Sequence, residues 1–312
     1  LAFASPRLAS LSMTSPAEPH PPPPAPGFWG SPITPDHVVE GGLRLSDVRL
    51  SGGVVFWRES RPKEKGRGTV CSFDTNNWGG KTETKGTVLN AGTSASGGDT
   101  IKEVTPALNV GSRVQEYGGS PFLIGKSQIV VSTKSGDLQC GKLGPTTSFS
   151  TIVSSGKLRF ADGFVHEDGS LVMICEDHTE NAPDKVKTSI VRIHQQNGTR
   201  IETVAEGRDF YHSPRWKGPG SATIAYVAYD HPNMPWDKTS LYLHDMTTGG
   251  KECIAEDHSI VQVKFSPRGK LFWMDDRTGF WNLYYYNEAE RKVIPVFPSQ
   301  TDMAGPPWEA GP

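Results

Sequence analysis

Short runs in which apolar and polar residues alternate recur along this chain, and a turn introduces each of them. Asp168-Gly169-Ser170 leads into Leu171-Val172-Met173-Ile174, Gly220-Ser221 into Ala222-Thr223-Ile224-Ala225-Tyr226, and Ser266-Pro267-Arg268-Gly269 into Leu271-Phe272-Trp273. In the last of these, Pro presets φ for the second position of a tight turn, and Gly supplies the positive φ of a hairpin return. The three glycines lie 51 and 49 residues apart. Weaker copies stand at Gly53 before Val54-Val55-Phe56-Trp57 and at Gly125 before Ile129-Val130-Val131. Behind the last turn the pattern predicts strands over Leu271–Met274, Trp281–Tyr286 and Lys292–Val296. Behind the one before it, strands are expected over Ile224–Tyr229, Ser240–His244 and Glu252–Ala255. Strand, turn, strand at this spacing is one supersecondary unit used repeatedly.

That repeat predicts an all-β fold, a β-propeller of four-stranded antiparallel blades, with about five blades plus a fragment in an incomplete ring. An ordinary β-sandwich with irregular turns is the competing architecture. Composition agrees with either: 34 Gly and 25 Pro among 312 residues leave no long uninterrupted helical pattern. A Ser/Pro-rich segment over residues 1–26, ending in His20-Pro21-Pro22-Pro23-Pro24-Ala25-Pro26, is expected to be disordered, the propeller (partial) occupying 27–312. Small polar residues over about 76–99 predict a flexible insertion, which stretches the first turn spacing to 72 residues.

Charge and cysteine usage remove several function classes. A net charge of −2 with mixed signs gives no basic stripe, so no nucleic-acid partner is expected. No apolar run approaches the ~20 residues of a spanning helix, so no membrane partner is expected either. Cys71, Cys140, Cys175 and Cys253 lack metal-type pair spacing and read as reduced thiols; the nine His residues show no metal spacing. Neither a metal nor any other cofactor is expected. Asn197-Gly198-Thr199 forms a glycosylation sequon, but Asn-Gly is also a preferred hairpin turn, and the turn is the reading taken. A cytoplasmic location follows from these features, or a plastid or other organelle if residues 1–26 are a transit remnant.

Several stretches are more particular than propeller chemistry demands. They are Trp29-Gly30-Ser31-Pro32-Ile33-Thr34, Arg113-Val114-Gln115-Glu116-Tyr117-Gly118-Gly119, Phe160-Ala161-Asp162-Gly163, Glu176-Asp177-His178 and Asp209-Phe210-Tyr211-His212-Ser213-Pro214-Arg215. Two more follow, His231-Pro232-Asn233-Met234-Pro235-Trp236-Asp237 and Asp276-Arg277-Thr278-Gly279-Phe280-Trp281-Asn282-Leu283-Tyr284. In this order they resemble the propeller half of the prolyl oligopeptidase family, in its dipeptidyl-aminopeptidase/acylaminoacyl-peptidase branch. The resemblance implies a two-domain serine peptidase in which a propeller of seven or eight blades caps an α/β-hydrolase domain that follows it. The chain departs from that plan because it holds no Gly-x-Ser-x-Gly nucleophile elbow. Gly118-Gly119-Ser120-Pro121-Phe122, Gly125-Lys126-Ser127-Gln128-Ile129 and Gly92-Thr93-Ser94-Ala95-Ser96 each fail at the last position. No catalytic residue is therefore assigned, and the C-terminal α/β-hydrolase domain is the expected partner missing from this chain.

Three groups of residues are candidates for contact with substrate or with that partner. Arg113, Glu116 and Tyr117 would gate the channel, an acid pairing with a peptide's free α-amine and an Arg with a carboxylate. The plainer reading is a salt bridge within a blade and a Tyr packed over Gly. Glu176, Asp177 and His178, and likewise His231, Trp236 and Asp237, follow apolar strands at equivalent corners of successive blades. They read as interdomain or channel loops, or as local turn chemistry. Asp275, Asp276 and Arg277 read as a structural blade corner. The function expected is a substrate-gating propeller of a serine exopeptidase acting on short peptides, inactive alone. A non-catalytic protein-interaction propeller is the alternative. A glycan-active enzyme pairing Glu116 with Glu176 is a third and weaker one.

Overall fold

The computed structural model describes residues 28, 30, 32–34, 37–38, 42–77, 101–144, 147–196, 198–305, 308 and 311. Segment 1–26, the insertion beyond Asn77 and Asn197 of the sequon lie outside the described residues. Within 1–41, Thr34 closes a turn: its hydroxyl accepts from the His37 amide at 3.1 Å and its carbonyl from the Val38 amide at 3.1 Å.

Residues 42–312 build five antiparallel sheets, each of four strands taken in chain order. Blade 1 holds β1 (Arg44–Ser51), β2 (Val54–Arg61), β3 (Arg67–Asp74) and β4 (Lys102–Glu103). Blade 2 holds β5 (Phe122–Ile124), β6 (Gln128–Ser132), β7 (Leu138–Lys142) and β8 (Phe149–Val153). In blade 3 these are β9 (Leu158–Val165), β10 (Leu171–Asp177), β11 (Lys187–His194) and β12 (Arg200–Ala205). Blade 4 comprises β13 (Phe210–Trp216), β14 (Thr223–Tyr229), β15 (Thr239–Asp245) and β16 (Lys251–His258). Blade 5 comprises β17 (Val261–Phe265), β18 (Leu271–Asp275), β19 (Asn282–Asn287) and β20 (Lys292–Phe297). This is a β-propeller, as the turn repeat predicts.

Alternation along the second and third strands places one apolar row on each side of a blade, and four cores result. Phe56 and Val70 meet Phe122 and Val131 between blades 1 and 2. Leu123 and Leu138 meet Leu171 and Met173 between blades 2 and 3. Val172 and Ile190 pack on Tyr211 and Tyr226, and Val227 and Leu241 pack on Trp273 and Tyr284.

The first strands pack on one another in succession, β1 on β5, β5 on β9, β9 on β13 and β13 on β17. Four of the five carry a register shift at an equivalent point, each with a residue at positive φ. These residues are Asp47 (φ 56°), Asp162 (φ 38°), Ser213 (φ 52°) and Gln262 (φ 53°). The last three stand 51 and 49 residues apart, the spacing of the turn glycines. A bulge bends its strand and re-aims the side chains that follow it. Beside Asp162, Gly163 lies at φ 144°, and any Cβ there would run into the Val172 carbonyl. Only glycine fits that approach.

The Asp275 corner ties blade 5 together. Trp273 Nε1 donates to Asp275 Oδ2 at 2.7 Å, Arg277 clamps the same carboxylate, and the Ser259 amide donates to Asp276 Oδ1 at 2.8 Å.

Candidate functional site

At the end of the propeller where β9 and β13 begin, a cavity of about 450 Å³ opens between blades 2, 3 and 4. Three of the chain segments that line it carry the sequence candidates, and Phe210 and Trp308 complete the wall. The loop before β5 contributes Gln115, Glu116 and Tyr117; the corner after β10 contributes Glu176 and His178; the corner after β14 contributes His231, Met234 and Trp236. The last two are the same strand corner in successive blades.

The first loop is shaped by consecutive left-handed residues, Gln115 (φ 53°) and Glu116 (φ 61°). Glu176 holds that turn in place: buried at the end of β10, its Oε1 accepts the Gln115 amide at 2.8 Å. Its Oε2 stands 3.1 Å from His178 Nε2, and His178 Nδ1 stands 2.8 Å from Asn181 Oδ1. Gln115 Oε1 lies 3.0 Å from Nε2 of His212, a fully buried ring on β13. Burial pushes the His212 imidazole down to about 4, so it is neutral near pH 7 and Nε2–H donates to Gln115.

Glu116 points outward. Its carboxylate bonds Arg159 of blade 3 at 2.5 Å, and that bond holds it below the usual glutamate range. Arg159 also donates to the Arg113 carbonyl at 3.0 Å, while the Arg113 side chain is exposed and does not line the cavity. The charged pair is thus between blades, with Arg159 in the place that the sequence reading gives to Arg113.

Aromatic rings form the remaining wall. Tyr117 meets Trp308 edge to face at 6.0 Å, and Trp308 meets Trp236 at 4.6 Å. Opposite them Phe210 stacks on Tyr229 at 4.8 Å and tilts against His231 at 4.9 Å. His231 is held by Asp209, whose Oδ2 lies 2.9 Å from its Nδ1 and accepts its amide at the same distance.

Asp177 and Asp237 serve the corners rather than the cavity. Asp177 Oδ1 accepts the Thr179 amide at 2.8 Å, and Asp237 Oδ2 accepts the Met234 amide at 2.9 Å. Sequence reasoning did not single out Phe210, Tyr229, Met234 or Trp308 as site residues. Phe210 and Met234 sit inside quoted motifs, but Tyr229 ends an ordinary apolar strand and Trp308 follows a proline pair, so neither carried a signal. Among the described residues no three His, Cys, Asp or Glu side chains are placed to hold a metal, and no helix is long and apolar enough to cross a membrane.

The site can therefore receive an apolar or aromatic group with a positive charge beside it. The walls supply stacking surface, and the buried Glu176 carboxylate stands at one side, while the Glu116 carboxylate is paired with Arg159.

No family model matches the chain, and no curated protein matches it. Solved structures do. A puromycin hydrolase complexed with PGG superposes with a TM-score of 0.75 at 24% identity, covering 91% of this chain and 43% of that one. A puromycin-hydrolyzing peptidase of Mycobacterium tuberculosis gives 0.71 at 25% identity, over 90% of this chain and 43% of the other. An oligogalacturonate lyase in complex with manganese shares the fold at 0.54 and 12% identity, over 80% of this chain and 63% of the lyase. The chain spans less than half the length of the peptidases it matches.

Proposed function

From a chain that resembles the propeller portion of prolyl-oligopeptidase-family peptidases, we propose a substrate-gating propeller of a serine exopeptidase that acts on short peptides. One observation carries this reading: three separated motifs converge on a single aromatic cavity with a buried carboxylate at its edge. In the reading, the amino-terminal side chain of a short peptide enters between Phe210, Trp236 and Trp308. Its α-ammonium lies against Glu176, and Glu116, paired with Arg159, stands at the mouth. A charge-assisted hydrogen bond of this kind contributes about 1.5–3 kcal/mol. Stacking on an aromatic wall adds about 0.5–1.5 kcal/mol. Both terms act on binding and positioning. In this reading, bond cleavage belongs to an α/β-hydrolase domain acting beside the propeller.

The cavity walls give the propeller a selective role. A blocked amine forfeits the Glu176 contact, and a bulky folded chain cannot enter a space of about 450 Å³. Puromycin, which carries a free amine and an aromatic side chain, is the natural first ligand because two structural neighbours hydrolyse it.

Titration calorimetry of the chain with puromycin and with its N-acetyl derivative tests this. Puromycin is expected to bind and the acetylated compound to bind at least tenfold more weakly. Equal binding of the two, or none of either, overturns the reading. Glu176→Gln keeps an oxygen to accept the Gln115 amide, so it separates loss of charge from loss of fold.

A further inference from the structure

Deeper along the first strands lies a charge cluster that the aromatic cavity does not use. Asp162 on β9 is fully buried, and its Oδ2 accepts Arg215 Nη1 of β13 at 2.9 Å. Its Oδ1 lies 3.8 Å from Arg49 Nη2 of β1, which donates to Ser120 Oγ at 2.7 Å. Lys264 completes the set on β17, which packs on β13, at the position just past the register shift that Arg215 holds in its own strand.

The placement is a product of the repeat. Arg49, Arg215 and Lys264 each stand two residues beyond the positive-φ residue of their strand, Asp47, Ser213 and Gln262. Equivalent bulges therefore set one cation on the first strand of each of three blades, two of them against the Asp162 carboxylate. The other acid near them is Asp47, which acts on Arg49 from the bulge itself, and whose carboxylate accepts Ser46 Oγ at 2.7 Å. Among the described residues, two acids against three bases leave one positive charge uncompensated. His212, neutral beside them, does not change that balance.

Burial first, and then neighbouring cations, hold Arg49 and Lys264 below their ordinary values. Arg215 Nη2 is buried with no acceptor among the described residues, and Asp162 Oδ1 has only the long Arg49 contact. A purely structural hub needs Asp162, Arg49 and Arg215, and leaves the exposed Lys264 unexplained.

We propose that Arg49, Arg215 and Lys264 form a binding site for a small oxyanion, a carboxylate or phosphate group, at the centre of the propeller. Asp162 fixes the Arg215 guanidinium and Ser120 the Arg49 one, both present in-plane donors, and Lys264 closes over the anion as a mobile point charge. Carboxylate and phosphate share this chemistry, so a peptide carboxyl terminus and a free inorganic oxyanion are the two sources.

Lys264→Met tests the site without disturbing the buried hub. Binding of inorganic phosphate, of N-acetyl-glycyl-glycine and of its carboxamide is measured by calorimetry at fixed ionic strength in chloride. The site predicts that phosphate or the free-acid peptide binds, that the carboxamide does not, and that Lys264→Met weakens binding about fivefold. Binding of phosphate alone assigns an inorganic ligand, and binding of the free-acid peptide assigns a peptide terminus; either supports the site. No binding of any oxyanion, or equal binding by wild type and Lys264→Met, overturns it. Trp236→Ala, which alters only the aromatic cavity, is expected to leave this binding unchanged, so failure here and failure of the peptide reading are distinguishable.

Discussion

At the scale of single residues, the feature with most consequence is that buried polar side chains set the shape of the site. Glu176 holds the left-handed Gln115-Glu116 turn through one amide, and His212 holds the Gln115 side chain through one ring nitrogen. Neither group stacks on a ligand, yet both decide where the cavity wall stands. His212 has a measurable signature. Its folded value near 4 lies below the 6.5 of an unfolded histidine, so the unfolded chain binds the extra proton first. Stability from this residue is fully present above pH 6.5, declines as pH falls toward 4, and is constant below that. The loss across this window is about 3 kcal/mol. Urea unfolding at pH 7.5 and pH 4.5 should therefore show a larger drop for wild type than for His212→Gln, which keeps a donor to Gln115. Equal drops in the two proteins would show that His212 is not buried neutral.

At the scale of elements, the second strand of each blade was legible in the sequence, with the third and fourth strands of blades 4 and 5, and the first strands were not. Leu171–Ile174, Ile224–Tyr229 and Leu271–Met274 alternate or run apolar behind a turn glycine, and each is a strand of the fold. The first strands break their own pattern. Asp47, Asp162, Ser213 and Gln262 are polar residues at positive φ, where the bulge shifts register and interrupts the period of two. The motifs Phe160–Gly163 and Asp209–Arg215 were conspicuous as strings, but what made them so is strand geometry that alternation does not encode. The candidate site divides in the same way. Glu116, Tyr117, Glu176, His178, His231 and Trp236 do line one cavity, whereas Arg113, Asp177 and Asp237 from the same motifs do not. Which member of a motif faces inward is fixed by turn hydrogen bonds, and spacing alone is silent on them.

Blade-to-blade packing supplies the stability of these elements. Trp273 is fully buried between blades 4 and 5, with its indole nitrogen satisfied by Asp275. Trp273→Ala removes that apolar volume and orphans part of the Asp275 carboxylate, so a loss of about 3–5 kcal/mol is expected. Chemical denaturation reads this directly, and a loss below about 1 kcal/mol would contradict the packing described.

For the whole molecule, the four inter-blade cores leave a row of apolar side chains on β1 exposed among the described residues. Leu45, Val48 and Leu50 of β1 are 59, 65 and 72% exposed, and β1 is an edge strand of its sheet. Val296 and Phe297 at the end of blade 5 are exposed as well. An edge strand with a row of exposed apolar side chains is a template for association. The chain is expected to self-associate at roughly tens of micromolar. Leu45→Lys with Leu50→Lys should return it toward a monomer in sedimentation velocity. A wild-type chain that sediments as a monomer throughout that range would show that this face is covered.

The central claim is that the aromatic cavity reads a free amine beside an apolar group. The most direct measurement is calorimetric titration of puromycin into wild type, Glu176→Gln and Trp236→Ala, repeated with N-acetylpuromycin. The account predicts binding by wild type, at least tenfold loss in Glu176→Gln, and weakening in Trp236→Ala for both ligands. It also predicts that Glu176→Gln no longer distinguishes the acetylated ligand from the free amine. Wild type and Glu176→Gln discriminating between the two ligands to the same extent would contradict it.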